Sequence, residues 1–245
     1  SLHAGRLWDE GQIVLEYPGE GALGASVIDS VLFQDHNSGR VFCLIDQFPG
    51  GVGQPNAKPG SGFDEQGRQL LFDRDMAAYI LNAEGIVTTE SGELTDYTVD
   101  EAGNVFDAGT PAGNIHLATG VDTHESLLAP RTCNLILIHS DDDGRTWSRP
   151  INLNPTLKQP WMRFFGTSPG NGILLDHASL LGRVLGLVYF NHECGSLFHV
   201  LRYTAMTVAR HGISVSHQTT TVNCSERSSV LETSRTIAVQ PMSRR

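Results

Sequence analysis

The amino-acid sequence predicts an all-β fold, and three observations support that prediction. Short apolar runs are bounded by Gly, Pro, Asn and Asp, and none repeats at the 3.6-residue spacing of an amphipathic helix. Residues 140–147 form the acidic turn motif Ser-x-Asp-x-Gly-x-Thr-Trp, directly after the apolar run 133–139. Residues 1–8 keep the Ser, Gly and Trp of this motif, so we expect the fold to repeat one structural unit.

The predicted strands fall into two groups. The longer apolar runs are 26–33, 39–46, 134–139, 172–175 and 183–190. Shorter runs lie in a segment that is rich in Gly, Pro, Glu and Asp, and they are 69–72, 78–81 and 85–89. The two copies of the acidic motif lie too far apart for neighbouring repeats, and the change of composition predicts an inserted small β domain at residues 50–120, between two repeated units.

The residues of the acidic motif are typical of a tight turn. We expect the Asp142 carboxylate to accept hydrogen bonds from backbone N–H groups a residue or two onward, and Gly144 to adopt a positive φ. Ser140 and Thr146 complete the polar turn, and the Trp147 indole is expected to pack on the hairpin. These five residues are predicted to be structural, with carboxylates that hold the turn and do not face a substrate. An ordinary acidic hairpin turn is the alternative interpretation.

Composition excludes several classes of function. A net charge of −10 disfavours nucleic acid and anionic membranes as partners. No apolar run is long enough to span a membrane, and no signal peptide is visible after Ser1, so the chain is expected to start inside a longer protein.

Neither metal nor cofactor binding is predicted. The four cysteines are scattered without Cys-x-x-Cys spacing, and the histidines show no ligand pattern. His116 and His124 come closest to a ligand pair, and we interpret them as exposed loop residues. A calcium loop of the EF-hand type is excluded because Pro150 occupies the position that requires Glu.

Several stretches of the chain match one enzyme family. The most specific is 161–173, Trp-Met-Arg-Phe-Phe-Gly-Thr-Ser-Pro-Gly-Asn-Gly-Ile, and the others are 13–19, 26–35, 45–49 and 182–191. Together with the acidic motif, which is the Asp box of propeller proteins, they resemble the bacterial exo-α-sialidase (neuraminidase) family, in its members with an insertion in the propeller. This resemblance implies a partial six-bladed β-propeller of sialidase type. It also implies hydrolysis of terminal sialic acid from glycans, on a secreted or cell-surface protein.

The resemblance assigns domains and site residues. Residues 1–49 and 121–195 are expected to be propeller blade segments, the second with the Asp box. Ile28 and Asp29 match family positions near the sugar pocket, and Tyr189 matches an aromatic residue that lines it. A strand core residue, a strand-end carboxylate and a core aromatic are the alternative interpretations of the three.

No catalytic residue is assigned in this chain. In the family, an arginine cluster binds the sugar carboxylate, an Asp acts as acid and base, and a Tyr paired with Glu is the nucleophile. None of these groups matches a residue here, so the resemblance implies a sialidase fragment that is inactive alone. A non-catalytic propeller segment for glycan binding and a pseudogene product are the alternatives. An unrelated Asp-box propeller is disfavoured by the Trp161–Ile173 stretch.

The end of the chain differs in composition from the rest. Fourteen of the last 42 residues are Ser or Thr, and none is Asp. Codons read one frame on from about residue 204 permit Ser-Asp-Asp-Gly-Gly-x-Thr-Trp, a further Asp box. We therefore interpret residues 196–245 as frameshifted translation, with a disordered polar tail as the alternative.

Overall fold

The computed structural model describes residues 10–35, 38–120, 125–175, 183–192, 202–209 and 212–216. Within these residues the chain is nearly all β, which confirms the predicted fold class. The exceptions there are a 3-10 turn, Gly21–Leu23, and one short helix, α1, Asn154–Leu157. The strands are β1 Ser26–Gln34, β2 Val41–Phe48, β3 Gln69–Phe72, β4 Ala78–Leu81, β5 Ile86–Thr89, β6 Leu94–Val99, β7 Asn104–Asp107, β8 Thr110–Asn114, β9 Asn134–Ser140, β10 Ile151–Asn152, β11 Met162–Thr167, β12 Gly170–Asn171, β13 Ile173–Leu175, β14 Arg183–His192, β15 Arg202–Ala209 and β16 Gly212–Ser216.

The first blade is an antiparallel sheet with the spatial order β10-β9-β2-β1. Cys43 of β2 pairs with Leu32 of β1 on one side and with Ile138 of β9 on the other. Almost every residue of β2 and β9 is buried. This burial on both faces explains why the two strands read as continuous apolar runs instead of alternating ones.

The second blade is built around β14. Strands β11 and β13 pair with successive parts of β14, and β15 and β16 follow in an antiparallel order. Between β11 and β13, strand β12 leaves this sheet and pairs in parallel with β1, through Val31 with Gly170 and Leu32 with Asn171. The two blades therefore meet along β1 and the β11–β13 segment.

The largest apolar core lies between the two blades. Val31 and Leu44 of the first blade and Phe165 and Val188 of the second are each at most 2% exposed. At roughly 25 cal/mol per Å2 of buried apolar surface, contacts of this kind are the main stabilising term of the fold. The full set is Val31, Phe33, Phe42, Leu44, Leu135, Leu137, Leu153, Leu157, Met162, Phe165, Val188 and Phe190.

A third sheet, the insert sheet, is a six-stranded meander of β3 to β8 in sequence order. It has its own core, which includes Leu71, Val87, Val99 and Leu128. The chain enters it after β2 and returns to β9, and these two strands pair directly with each other. The insertion therefore lies inside one blade and not between two blades as the sequence analysis expected. Neighbouring antiparallel strands hold their ends close together, so a domain can be spliced between them.

Five consecutive hairpin turns of the insert share one geometry. In each, the first residue caps the turn by accepting, at its side-chain oxygen, a hydrogen bond from the backbone N–H four positions on. The fourth residue has a left-handed backbone, with φ between 68° and 87°. The pairs are Asp64 with Gly67, Asp73 with Met76, Asn82 with Gly85, Thr89 with Gly92 and Asp100 with Gly103. This repeat was not predicted from the sequence, although in four of the five turns a Gly stands three positions after the capping residue.

The insert rests on the segment that precedes β1. Ala118 N donates to Leu23 O at 2.9 Å, and Gly50 N in the loop after β2 donates to His116 O at 2.8 Å. The Tyr17 and His116 rings meet edge to face, with centroids 4.5 Å apart. The predicted domain boundaries stay predictions, but residues 126–129 contact the insert sheet beyond the predicted boundary at 120.

The predicted tail, residues 196–245, is partly described. Strands β15 and β16 fall inside it, and Val188 of β14 pairs with Thr204 of β15. The rest of the tail and the degenerate motif at residues 1–8 lie outside the described residues. The frameshift interpretation stays a prediction.

Candidate functional site

The Asp box forms a closed set of hydrogen bonds at the turn between β9 and β10. Asp142 Oδ1 accepts from Thr146 N at 2.8 Å, and Asp142 Oδ2 accepts from Thr146 Oγ1 at 2.7 Å. Ser140 Oγ donates to Asp142 Oδ1 at 2.8 Å and accepts from Gly144 N at the same distance. Trp147 Nε1 donates to Gly144 O at 3.0 Å. All five predicted residues are thus directed into the turn itself.

The hydrogen bonds of this turn change the pKa of Asp142. The hydrogen bonds from Thr146, and then the one from Ser140, lower the pKa of Asp142 to about 2. The neighbouring Asp141 accepts two hydrogen bonds from Arg40, at 2.6 and 2.8 Å, which join this turn to the start of β2. The Trp147 ring packs on a cluster of Cys43, Ile45, Ile136 and Ile138, the face of the first blade that turns away from the second.

The first blade has two distinct ends. At the Asp-box end, Ser140 at the end of β9 pairs with Val41 at the start of β2. At the other end, which we call the β1-entry end, Ser26 at the start of β1 pairs with Phe48 at the end of β2. The insert is attached at the β1-entry end, and Ile28 and Asp29 lie near it.

Ile28 and Asp29 occupy an irregular point in β1. The register with β2 shifts between Ile28 and Val31, and Asp29 has φ 54°, a left-handed value that is rare for a residue with a Cβ. Ile28 is 45% exposed. Non-Gly residues held in the left-handed region cluster at active sites and ligand clamps, which makes this point of β1 a candidate binding position.

A second acidic residue, Asp46, lies opposite this irregularity. It pairs with Ile28 across the β1–β2 ladder and is 1% exposed. Asp46 Oδ1 accepts from Thr167 N of β11 at 2.8 Å, and Thr167 Oγ1 donates to the Asp29 carbonyl. Burial, together with the charge of Asp29, raises the pKa of Asp46 to about 8, against the opposing Thr167 hydrogen bond.

Asp46 lies in the family-like stretch 45–49, but no role for it was predicted from the sequence. The signal was present in the sequence, because a carboxylate directly follows the apolar run 41–45 of a predicted buried strand. Tyr189, the third predicted site residue, lies in β14 and pairs with Gly166, the residue before Thr167. The structure thus brings the backbones of Ile28, Asp29 and Tyr189 around one junction between the two blades.

An open cavity of about 440 Å3 lies at the β1-entry end. Its walls come from the 3-10 turn, the start of β1 and the loop after β2, and include Gly21, Gly24, Ser26, Pro49 and Val52. The lining residues are mostly Gly, Pro and other small residues, and none of them is charged.

The described residues contain no group of three His, Cys, Asp or Glu side chains that could hold a metal ion. His116 is partly buried against Tyr17, not exposed as the sequence analysis expected, and burial lowers its pKa to about 4. His124 lies outside the described residues. No helix among the described residues is long and apolar enough to cross a membrane.

Curated proteins similar to this chain are named sialidase or anhydrosialidase. No protein-family model matches the chain. It is 28% identical over 192 residues to an anhydrosialidase of Macrobdella decora, and 37% identical over 59 residues to a sialidase of Bacteroides fragilis. These matches cover 67% and 24% of this chain.

Solved structures give the same fold. The intramolecular trans-sialidase of Ruminococcus gnavus, in complex with oseltamivir carboxylate, superposes with a TM-score of 0.67 at 22% identity over 89% of this chain. The leech intramolecular trans-sialidase, complexed with 2,7-anhydro-Neu5Ac, superposes with a TM-score of 0.61 at 20% identity over 88% of this chain. The chain spans 53% and 43% of those two structures, and 25% and 11% of the two curated relatives.

Proposed function

This chain belongs to the sialidase family, and from that premise we propose that it supplies part of the sugar-recognition surface of a sialic-acid-releasing glycosidase. Ile28, Asp29 and Tyr189 are the residues we assign to contact the sugar. No residue here is assigned to the arginine cluster, the Asp, the Glu or the Tyr that the family resemblance implies for catalysis. What we propose is therefore sugar recognition alone.

The observation that carries the proposal is the left-handed Asp29 beside the exposed Ile28. A bulge in a strand redirects a side chain out of the regular alternation, and bulges are over-represented next to active sites. Asp29 also lies near the blade end opposite the Asp box. A structural turn and a binding surface can therefore occupy the two ends of the same blade without competing.

The substrate class we propose is a sialylated glycan, and the parent protein is expected to be secreted or on the cell surface. An exposed aliphatic side chain offers apolar contact, and a carboxylate accepts hydrogen bonds from sugar hydroxyls or an amide. The names of the relatives include both a sialidase and an intramolecular trans-sialidase, and recognition of the sialic acid residue is common to both.

Direct binding to the 245-residue chain tests the proposal. We expect saturation-transfer NMR with 3′-sialyllactose to show contact from the sialic acid protons, and the signal to fall in Asp29→Asn and Ile28→Ala. Asp143→Asn is the matched control, because Asp143 is also an Asp with a left-handed backbone, φ 59°, but lies in the Asp box. Equal signals from Asp29→Asn and Asp143→Asn would contradict the assignment.

Catalysis by the chain alone gives a second test. We expect no turnover of a fluorogenic sialoside by the purified chain, because no residue in it is assigned to the catalytic roles. Measurable turnover that is lost on substitution of one of the described residues would show that this residue is a catalytic group without an assignment.

A non-catalytic glycan-binding segment is the second candidate function, favoured by the same lack of assigned catalytic groups. DNA resequencing through codons 190–245 and about a kilobase on either side separates the two candidates. A shifted frame that continues to the missing Glu, Arg and Tyr supports the glycosidase. A frame that stops supports a non-catalytic role or a pseudogene product.

A further inference from the structure

We propose that Asp46 is a positioning residue that holds Asp29 in its left-handed conformation by acting through Thr167 of the neighbouring blade. The inference deepens the proposed function, since its value for recognition rests on Asp29 contacting the sugar. The link from Asp46 through Thr167 to Asp29 rests on contacts within the ligand-free chain alone.

The first step of this relay links the two blades. Asp46 Oδ1 of β2 accepts from Thr167 N of β11 at 2.8 Å, and both residues are at most 1% exposed. The adjacent Gly166 makes the approach possible, because a Cβ at that position would lie 2.4 Å from Asp46 Oδ2. This buried hydrogen bond ties the Thr167 backbone to β2, and it becomes charge-assisted when the Asp46 carboxyl loses its proton.

The second step links Thr167 to the proposed sugar contact. Thr167 Oγ1 donates to the Asp29 carbonyl, and the Thr167 side chain is fully buried. The left-handed backbone of Asp29 costs roughly 1–2 kcal/mol in isolation. It persists only where the surroundings hold it, and this hydrogen bond acts on the peptide group that sets it.

The protonation of Asp46 is coupled to the same relay. Within the described residues, Asp46 Oδ2 has no hydrogen-bond partner, so its ionised form lacks full compensation. Asp29 of β1 interacts electrostatically with Asp46, and so does Cys133, which precedes β9 and itself interacts with Lys158. On β11, Gly166 and Thr167 lie against Asp46, and the charged residue of that strand, Arg163, donates to Ala57 O at 2.8 Å. Because the Asp46 pKa is raised to about 8, the carboxyl carries a proton at neutral pH and loses it as the pH rises through that value.

NMR of the ligand-free full chain tests the relay. We expect the Asp29 carbonyl 13C shift and the Thr167 amide shift to change together as the pH passes about 8. In Asp46→Asn, which keeps an acceptor oxygen but cannot ionise, both changes should be absent. In Thr167→Val, which keeps the amide and removes the hydroxyl, the residue-167 amide should still titrate. The Asp29 carbonyl change should then fall to less than half. Asp107→Asn is the control for loss of a carboxyl elsewhere.

Two results would overturn the relay. One is an Asp29 carbonyl change that is the same in Thr167→Val as in the wild type. The other is a pH change at Asp29 that survives in Asp46→Asn. Binding of 3′-sialyllactose then separates the two proposals: we expect Thr167→Val to weaken it at least about fivefold, the equivalent of 1 kcal/mol. If the wild type shows no binding while the coupling is intact, the proposed function fails and the relay stands.

Discussion

Met76 and Gly85 occupy the same position in two successive hairpin turns of the insert, and both have a left-handed backbone. Their φ values are 68° and 82°, and each donates its N–H to the backbone oxygen of the residue that caps its turn, at 3.2 Å in both cases. Gly adopts this conformation without steric cost, whereas the Cβ of Met opposes it. The turn geometry is therefore imposed on Met76 by the hydrogen bonds around it.

Replacement of Met76 by Gly is expected to stabilise the protein. Relief of the left-handed strain, at roughly 1–2 kcal/mol, exceeds the loss of 0.4–1 kcal/mol from a more flexible unfolded chain, for a net gain of about 0.5–1 kcal/mol. Met76 is 41% exposed and belongs to no described apolar cluster, so the substitution removes no core side chain. Urea unfolding measures the change. The reverse substitution at an equivalent turn, Gly92→Ala, has open space for the Cβ and should destabilise by a similar amount.

Removal of the Asp142 carboxylate is expected to destabilise the first blade at neutral pH. Asp142→Ala takes away the acceptor of both Thr146 hydrogen bonds and should lower the Tm by a few degrees at pH 7. The Asp142 pKa is lowered to about 2, so its stabilising effect is present above the ordinary carboxyl pKa near 4 and is lost as the pH falls toward 2. The Tm difference from the wild type should therefore shrink between those pH values. A difference that is equal at pH 7 and pH 2 would contradict this account.

Addition of one methyl group at Gly166 is expected to disturb the junction between the blades. The new Cβ would lie 2.4 Å from both Asp46 Oδ2 and Phe164 Cζ, in a region where every neighbour is buried. Overpacking of this kind costs ~1–3 kcal/mol. Gly11→Ala meets no atom within 4 Å and is the control for the same chemical change. Chemical denaturation of the two variants should separate them clearly.

Replacement of Lys158 by Met is expected to be tolerated or stabilising at neutral pH. Lys158 is 4% exposed, and its Nζ donates to Thr132 Oγ1 and, at 3.5 Å, to Cys133 O. Burial lowers its pKa, so the folded wild type binds fewer protons than the unfolded chain and gains stability as the pH rises toward the ordinary lysine value. We expect a gain of about 1 kcal/mol at pH 7 for Lys158→Met and a flatter stability profile between pH 7 and 10. A loss of several kcal/mol at pH 7 would show that the amine is paired more strongly than these contacts indicate.

The insert is expected to fold on its own. A polypeptide of residues 57–131 retains the apolar cluster around Leu71, Val87 and Leu128 and all five capped turns. At this size a single core is sufficient for many independent domains. Dispersed amide signals in a 1H–15N spectrum would support the predicted domain division. A collapsed spectrum, with a folded spectrum for the full chain, would show that the blade is needed.

The local motifs could be predicted from the sequence, whereas the long-range pairing of strands and packing of blades could not. The Ser140–Trp147 turn was predictable because its residues bond to one another within eight positions. The insertion point inside the blade was not, since the pairing of Gln47 with Asn134 leaves no trace in either strand. The role proposed for Asp46 depends on Thr167, which lies 121 positions away and becomes its neighbour only after the blades pack.

The pairing of β2 with β9 also sets an order of events during folding. The strands must meet although more than eighty residues separate them, and closing so long a loop carries an entropic barrier that slows a sheet of this topology. An insert that forms first, from short hairpins with local contacts, ties the two ends of that loop together before the blade assembles. We therefore expect the insert to act as an internal folding nucleus, and substitutions in its capped turns to slow the refolding of a blade that they never touch.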